Sequence, residues 1–311
     1  MIYVFLTLWV VSAVMAIRAQ KIVQIIVYLG VFSTICALCY LVLGAPDVAM
    51  AEAAVSSFST IFLIICFEKY FSLVTYMTDA PPPGKKLAFN LKKYILPLCF
   101  TLLLLALFIY FIPDVPVNTY VKDRYLSGFI SDVGGRNAVT AVYLGYRMYD
   151  TLFEALMLLV SVVGVAHMSM YSDAEASEKQ IKGISRSDKI SVYTIRLISP
   201  AMLLFGVYLI LNGHLSPGGG FQGGVAIASF FICRYLIYNI SDVSFGKIII
   251  VEKLTYAAIV ILAGFFILLG VYVTFPEMRN VYLMMMNSLI GMKVACGFSI
   301  IFYRYIAFER R

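Results

Sequence analysis

Charge is scarce in this chain. Charged residues make up 13% of its 311 positions, against about 25% in a soluble domain of average composition. With 62% hydrophobic residues and a mean hydropathy of +0.91, a water-facing globule is excluded, because too little polar surface exists to cover the apolar part. There are two histidines and six scattered cysteines, and no pair of His, Cys or acidic residues has metal-ligand spacing, so nothing resembles a metal site. Cys36 and Cys39 form a C-x-x-C inside an apolar run, where they read as small apolar filler on one helix face. The chain has no G-K-[ST] phosphate loop, and it lacks the cluster-binding cysteines that electron transfer would need. No cofactor is therefore expected in this chain. No segment repeats another, which argues against a self-contained transporter built from inverted repeats.

What the chain does have is a series of apolar runs near the length of about 20 residues that a bilayer helix needs. The expected spans are 2–17, 22–43, 48–67, 94–112, 150–171, 192–211, 221–239, 254–275 and 283–305. Basic residues orient them. With the N-terminus outside, 18 of the 24 Lys and Arg fall on the inner side, five on the outer side, and Lys293 lies within a span. The net charge of +7 is therefore topological and calls for no nucleic-acid partner. The N-terminal run resembles a signal peptide in length, but Arg18 and Lys21 follow it instead of preceding it, which suits a retained first span. The expected fold is an all-α, nine-span membrane protein with its C-terminus in the cytoplasm.

Two polar linkers, Thr78 to Lys86 and Ser172 to Lys189, divide the chain into modules at 1–77, 92–172 and 190–311. Between the sixth and seventh spans lies "NGHLSPGGGFQGG", Asn212 to Gly224. Gly218, Gly220 and Gly223 satisfy G-x-G-x-x-G, but the flanks are membrane helices and not a strand and a soluble helix, so the dinucleotide reading fails on context. The segment reads as a hairpin in which Pro217 ends one helix and three successive glycines, Gly218 to Gly220, allow backbone angles that other residues avoid. Gly220 and Gly224, four apart, let a neighbouring helix approach closely. A water-lined vestibule is the alternative, since Asn212 and His214 put polar groups at the membrane edge.

Acids and bases inside spans are candidate functional groups, because burying them in lipid is expensive. Glu52 lies about one turn into the third span, after Pro46, with Asp47 available to cap that helix. Asp150 and Glu154 share a face near the outer end of the fifth span, and Arg147 is close enough to pair with Asp150. A T-x-x-E capping box of Thr151 and Glu154 is the structural alternative. Lys293 lies roughly 15 Å into the last span at ~1.5 Å per residue, too deep to snorkel easily. Inserting it costs on the order of 2.5–3.5 kcal/mol. Three roles stand open for it: a fixed ion pair with a buried acid, a proton carrier, or a contact to a polar groove on a partner.

These segments resemble a known family. "GHLSPGGGFQGG" (Gly213 to Gly224) is similar to the B-subunit signature of Mrp-type cation/proton antiporters and of the matching subunit of membrane-bound hydrogenases. "GAPDVAMAEAAVSSFSTIFLIICF" from Gly44 resembles the D module of those hydrogenases, with Ala51 where threonine is usual and Ser56 where glycine is usual. "NAVTAVYLGYRMYDTLFEALMLLVSVVGV" from Asn137 resembles the next, E-like module, with Gly145 where an acid is frequent and Phe153 where glycine is frequent. In Mrp antiporters the first two modules end a much larger A subunit, whereas here they are fused to a B-like module.

The resemblance implies an ion-translocating subunit of a multisubunit complex in a prokaryotic cell membrane, hydrogenase-like in the first reading and Mrp-type in the second. It implies antiporter-like membrane partners, with redox chemistry left to other subunits. Ion passage would use Glu52, Glu154 and Lys293, with Asp150 and His214 at the outer mouth. The alternatives are a scaffold joining antiporter cores and a stand-alone transporter.

Overall fold

The computed structural model describes residues 2–77, 91–110, 119–173, 189–237, 245–268 and 275–307, and every regular element among them is helical. The chain opens with α1 (Ile2–Arg18), α2 (Ile22–Val42) and α3 (Pro46–Met77). The middle stretch supplies α4 (Leu91–Tyr110), α5 (Tyr120–Asp132) and the short α6 (Ala138–Ala141), which passes through a π-helical segment (Val142–Tyr146) into α7 (Met148–Asp173). The C-terminal stretch supplies α8 (Lys189–Asn212), α9 (Gly220–Ile237), α10 (Phe245–Leu268) and α11 (Met278–Ala307). The first expected linker and nearly all of the second lie outside the described residues.

Six of these helices, α2, α3, α7, α8, α10 and α11, contain stretches long and apolar enough to cross a bilayer, while α1 is apolar but shorter. The chain is a multi-pass membrane protein. Its surface agrees: Leu102 to Leu105 of α4 and Val10 and Val11 of α1 are all exposed, a costly arrangement in water and the ordinary one against lipid.

Local chemistry explains where the helices stop and start. At the end of α2 the Gly44 N–H bonds the Leu41 carbonyl and the Ala45 N–H bonds the Tyr40 carbonyl, the paired pattern that closes a helix through a left-handed residue. Gly44 takes that role at φ +77°, and Pro46 then opens α3 at a position where its missing N–H costs nothing. Pro200 sits inside α8 without ending it. The main boundary correction concerns α10, which begins at Phe245 instead of the expected 254. That shift draws Glu252 out of the inner loop and into the helix.

At the centre, α9 packs most extensively against α8 and α11, and α11 in turn covers α10 and α7. One apolar cluster runs through them, including Phe58 of α3, Leu144, Val225 and Ile232 of α9, Ile259 of α10, and Tyr282, Met286 and Phe302 of α11. The α2–α3, α5–α6 and α8–α9 connections and the first turn of α11 meet at one end of the bundle. Asn137 reaches Asp47, Gly135 N–H donates to Asn280 at 2.9 Å, and Arg279 bonds the Ser131 carbonyl.

Candidate functional site

The site begins at that end, where the glycine loop docks. Asp47 is buried, and its Oδ1 accepts the Asn137 side-chain amide at 2.9 Å and the Gly218 backbone N–H at 3.0 Å. Asn137 also donates to the Gly213 and Ser216 carbonyls at 3.1 and 3.0 Å, while its oxygen caps α6 through Val139 N–H. Asp47, expected to cap α3, therefore serves as an acceptor joining three parts of the chain. The loop is a packed hairpin, and α8 has already ended at Asn212, five positions before Pro217. His214 is buried instead of lining a vestibule. Its backbone carbonyl accepts the N–H groups of Arg136 and Asn137, and its Nδ1 has no partner among the described residues. Burial pushes its imidazole below the usual histidine range, opposed by a hydrogen bond with the Leu211 backbone.

The glycines have different tasks. Gly218 and Gly219 take φ +135° and +153°, which other residues rarely adopt. Gly220 and Gly224 open α9 against α11. A Cβ on Gly220 would lie 2.5 Å from the Asn287 carbonyl oxygen, and one on Gly224 would lie 2.6 Å from that of Gly291. On another side of α9, Gly223 meets the Gly206 carbonyl of α8 at the same kind of distance. The close approach of α9 and α11 brings polar groups of the core into line. Asn287, fully buried, accepts Gly220 N–H at 3.1 Å and the Tyr143 hydroxyl at 2.8 Å, and Thr140 donates to the Gly213 carbonyl at 2.5 Å.

Deeper in the bundle, Lys293 of α11 is 1% exposed and forms an ion pair with Glu252 of α10, which is 0% exposed. The ammonium bonds Glu252 Oε1 and stands 5.1 Å from the centre of the Tyr256 ring, within cation–π range. Glu252 Oε2 is buried without a partner among the described residues. Lys293 thus has the buried acid that one of its expected roles required. Glu252 itself escaped sequence reading, because its neighbour Lys253 made the pair look like a loop end. The available signal was periodicity: Glu252, Thr255, Ile259, Ala263 and Phe266 are all buried and recur at helical spacing along α10.

Glu154 stands exposed on α7 yet also lines a cavity of about 30 Å³ with Thr151, Ala155, Phe221, Ile290 and Lys293. That volume admits a water molecule, which needs roughly 10–15 Å³. The capping box that was the structural alternative for Thr151 and Glu154 is absent. Thr151 lies inside α7 and donates to the Tyr143 carbonyl at 2.5 Å, a group freed by the π-helical turn, where Arg147 N–H bonds Val142 instead. Asp150 pairs with Arg147, as the spacing predicted, but both are more than half exposed, and Asp150 is not in the cavity lining. Glu52 is held by the Ser33 hydroxyl of α2 and is likewise not in that lining. The structure therefore brings Glu154 and Lys293 together with Glu252, and leaves Glu52, Asp150 and His214 elsewhere.

Residues 190–308 match the family model described as a domain related to the MnhB subunit of Na+/H+ antiporters, and residues 7–71 match the MbhD model, which describes the D subunit of MBH. An uncharacterized protein of Methanocaldococcus jannaschii is 30% identical over 144 residues, 42% of this chain and 53% of that protein. The protein named antiporter subunit mnhA2 in Staphylococcus aureus is 24% identical over 151 residues, 49% of this chain and 18% of that protein. The chain thus spans about half the length of the first relative and much less of the second. A chain of the membrane-bound sulfane sulfur reductase, an archaeal respiratory membrane complex, is 27% identical with a TM-score of 0.59, covering 71% of this chain and 100% of its own length. A chain of the Mrp complex from Dietzia shares the fold at a TM-score of 0.74 and 16% identity, over 99% of this chain and 35% of that one.

Proposed function

We propose that this chain, an Mrp/MBH-type membrane subunit, helps move protons or sodium within the membrane arm of a multisubunit energy-converting complex. The observation that carries this reading is the Lys293–Glu252 pair, buried where α10 and α11 pack and reached by a cavity that Glu154 also lines. Ionisable groups so placed are costly, and ion movement is the use that repays them. Glu52, Glu154 and Lys293 are the proposed transfer groups, with Asp150 and His214 near the outer end. The proposed partners are antiporter-like and other membrane subunits of the same complex. An Mrp-type antiporter is the second reading, favoured by the extent of the fold shared with the Mrp complex. The proposed division is 1–77, 92–172 and 190–311. The proposed topology is nine spans with the N-terminus outside, supported by the 18 of 24 Lys and Arg that this arrangement puts in inner-side segments of the sequence.

The test is transport by the assembly that co-purifies with this chain, reconstituted in vesicles. Glu52→Gln and Glu154→Gln should each lower cation-linked proton movement several-fold with partner recovery unchanged, while Glu277→Gln should not. Transport untouched by either change would leave a scaffold. Cysteine placed at Ser216 should label from outside and cysteine at Lys21 should not, and the reverse would invert the topology.

A further inference from the structure

We infer that Lys293 and Glu252 form a proton-exchanging pair, fed from Glu154 through water in the cavity between α7 and α11, with Glu252 the acceptor. The inference rests on the ion-moving reading above and adds to it a residue, a water site and an order of steps. A purely structural ion pair keeps both carboxylate oxygens satisfied, since an unmatched buried charge is penalised heavily. Here only Oε1 is bonded, and Oε2 is buried without a partner among the described residues. Moving one proton from Nζ to Glu252 turns two ions into an amine and an acid, which relieves that penalty without breaking the contact.

The surroundings suit this exchange. Lys293 stands in the cavity lining with Glu154, whereas Glu252 does not, so the lysine is the member of the pair that cavity water touches. The Thr151 hydroxyl gives its hydrogen to the Tyr143 carbonyl, leaving its oxygen to accept from cavity water. Among the described residues, the titratable neighbours named by these contacts are the Tyr256 ring on α10, Cys296 on α11 and Glu154 on α7, and Phe221, which α9 contributes to the lining, is apolar.

The steps balance. The Lys293 ammonium gives a proton to the Glu252 carboxylate, breaking N–H and forming O–H. Protonated Glu154 then gives its proton to a cavity water, which passes one of its own to the neutral Nζ. The lysine is restored, Glu154 is left as carboxylate, and Glu252 holds the transferred proton for release.

Four variants of the reconstituted complex test it: Glu252→Gln, Lys293→Met, the double Lys293→Met/Glu252→Met, and Ala155→Leu, which fills the cavity without changing charge. The single charge variants should lose proton movement and also lose stability, because each leaves an unpaired buried group. The double variant should regain stability and subunit recovery and still fail to move protons. Ala155→Leu should slow movement with recovery intact. Infrared spectra taken across a pH series should contain a carboxylic-acid band that Glu252→Gln removes. A double variant that transports normally, or a pH series without a Glu252 band, overturns the proposal. If Glu154→Gln lowers transport while the double variant does not, this pair is structural and the ion-moving reading stands. If no variant of Glu52, Glu154, Lys293 or Glu252 lowers transport, that reading falls as well.

Discussion

Asn137 and Asp47, 90 positions apart, are hydrogen-bonded at 2.9 Å in the buried junction where the glycine loop docks. The same Asp47 oxygen holds Gly218 N–H, so one carboxylate ties the start of α3 to the α5–α6 connection and to the loop before α9.

Asp47→Ala leaves the Gly218 N–H buried without an acceptor, which costs about 1–3 kcal/mol. The melting temperature of the purified complex should fall and the loop should become protease-sensitive. Asp47→Asn retains an acceptor oxygen and should lie between this variant and the unmodified protein. Equal melting for all three would show that the junction is held by other contacts.

Gly220→Ala places a methyl 2.5 Å from the Asn287 carbonyl oxygen, so α9 and α11 must separate, at a cost of about 1–3 kcal/mol for an overpacked contact. Gly264→Ala on α10 meets nothing within 4 Å, and its helix propensity favours it by up to about 1 kcal/mol. Thermal unfolding in detergent should therefore rank Gly220→Ala below the unmodified chain and Gly264→Ala level with it or above. The opposite order would contradict the close packing of α9 on α11.

His214 should make the loop acid-sensitive. Its folded pKa is depressed by burial, because an imidazolium loses hydration where the loop packs around it. The unfolded state binds the proton first, so this contribution is intact above the ordinary histidine value of 6.5 and is lost as pH falls through the depressed folded value. The melting temperature should decline with acidification across that window, and the decline should be shallower in His214→Gln. Parallel pH profiles would remove His214 as the cause.

Much of this architecture is written along the chain. Apolar run length and the placement of Lys and Arg identify a multi-pass helical protein, because insertion into lipid is decided segment by segment. The glycine loop was legible as a hairpin and as a point of close helix approach, since glycine acts through its own backbone. The i, i+3 pairing of Arg147 with Asp150 is equally local. Lys293 stood out for the same reason: a lysine in the middle of an apolar run is conspicuous whatever surrounds it.

Its partner was not legible. Whether Lys293 meets Glu252, Glu154 or solvent depends on how α7, α10 and α11 are rotated and slid past one another. Those offsets are set by contacts such as Gly220 and Gly224 against α11, which no single helix contains. Asp47 reads alone as a helix cap, and only the folded loop makes it the acceptor for Asn137 and Gly218. Thr151 and Glu154 satisfy a capping pattern, yet the π-helical turn before α7 diverts the threonine to the Tyr143 carbonyl. Sequence by itself determined the membrane class and the identity of the costly charges, because both follow from each segment's own chemistry. Tertiary structure decided which charges meet and which face a cavity, because those relations exist only between helices.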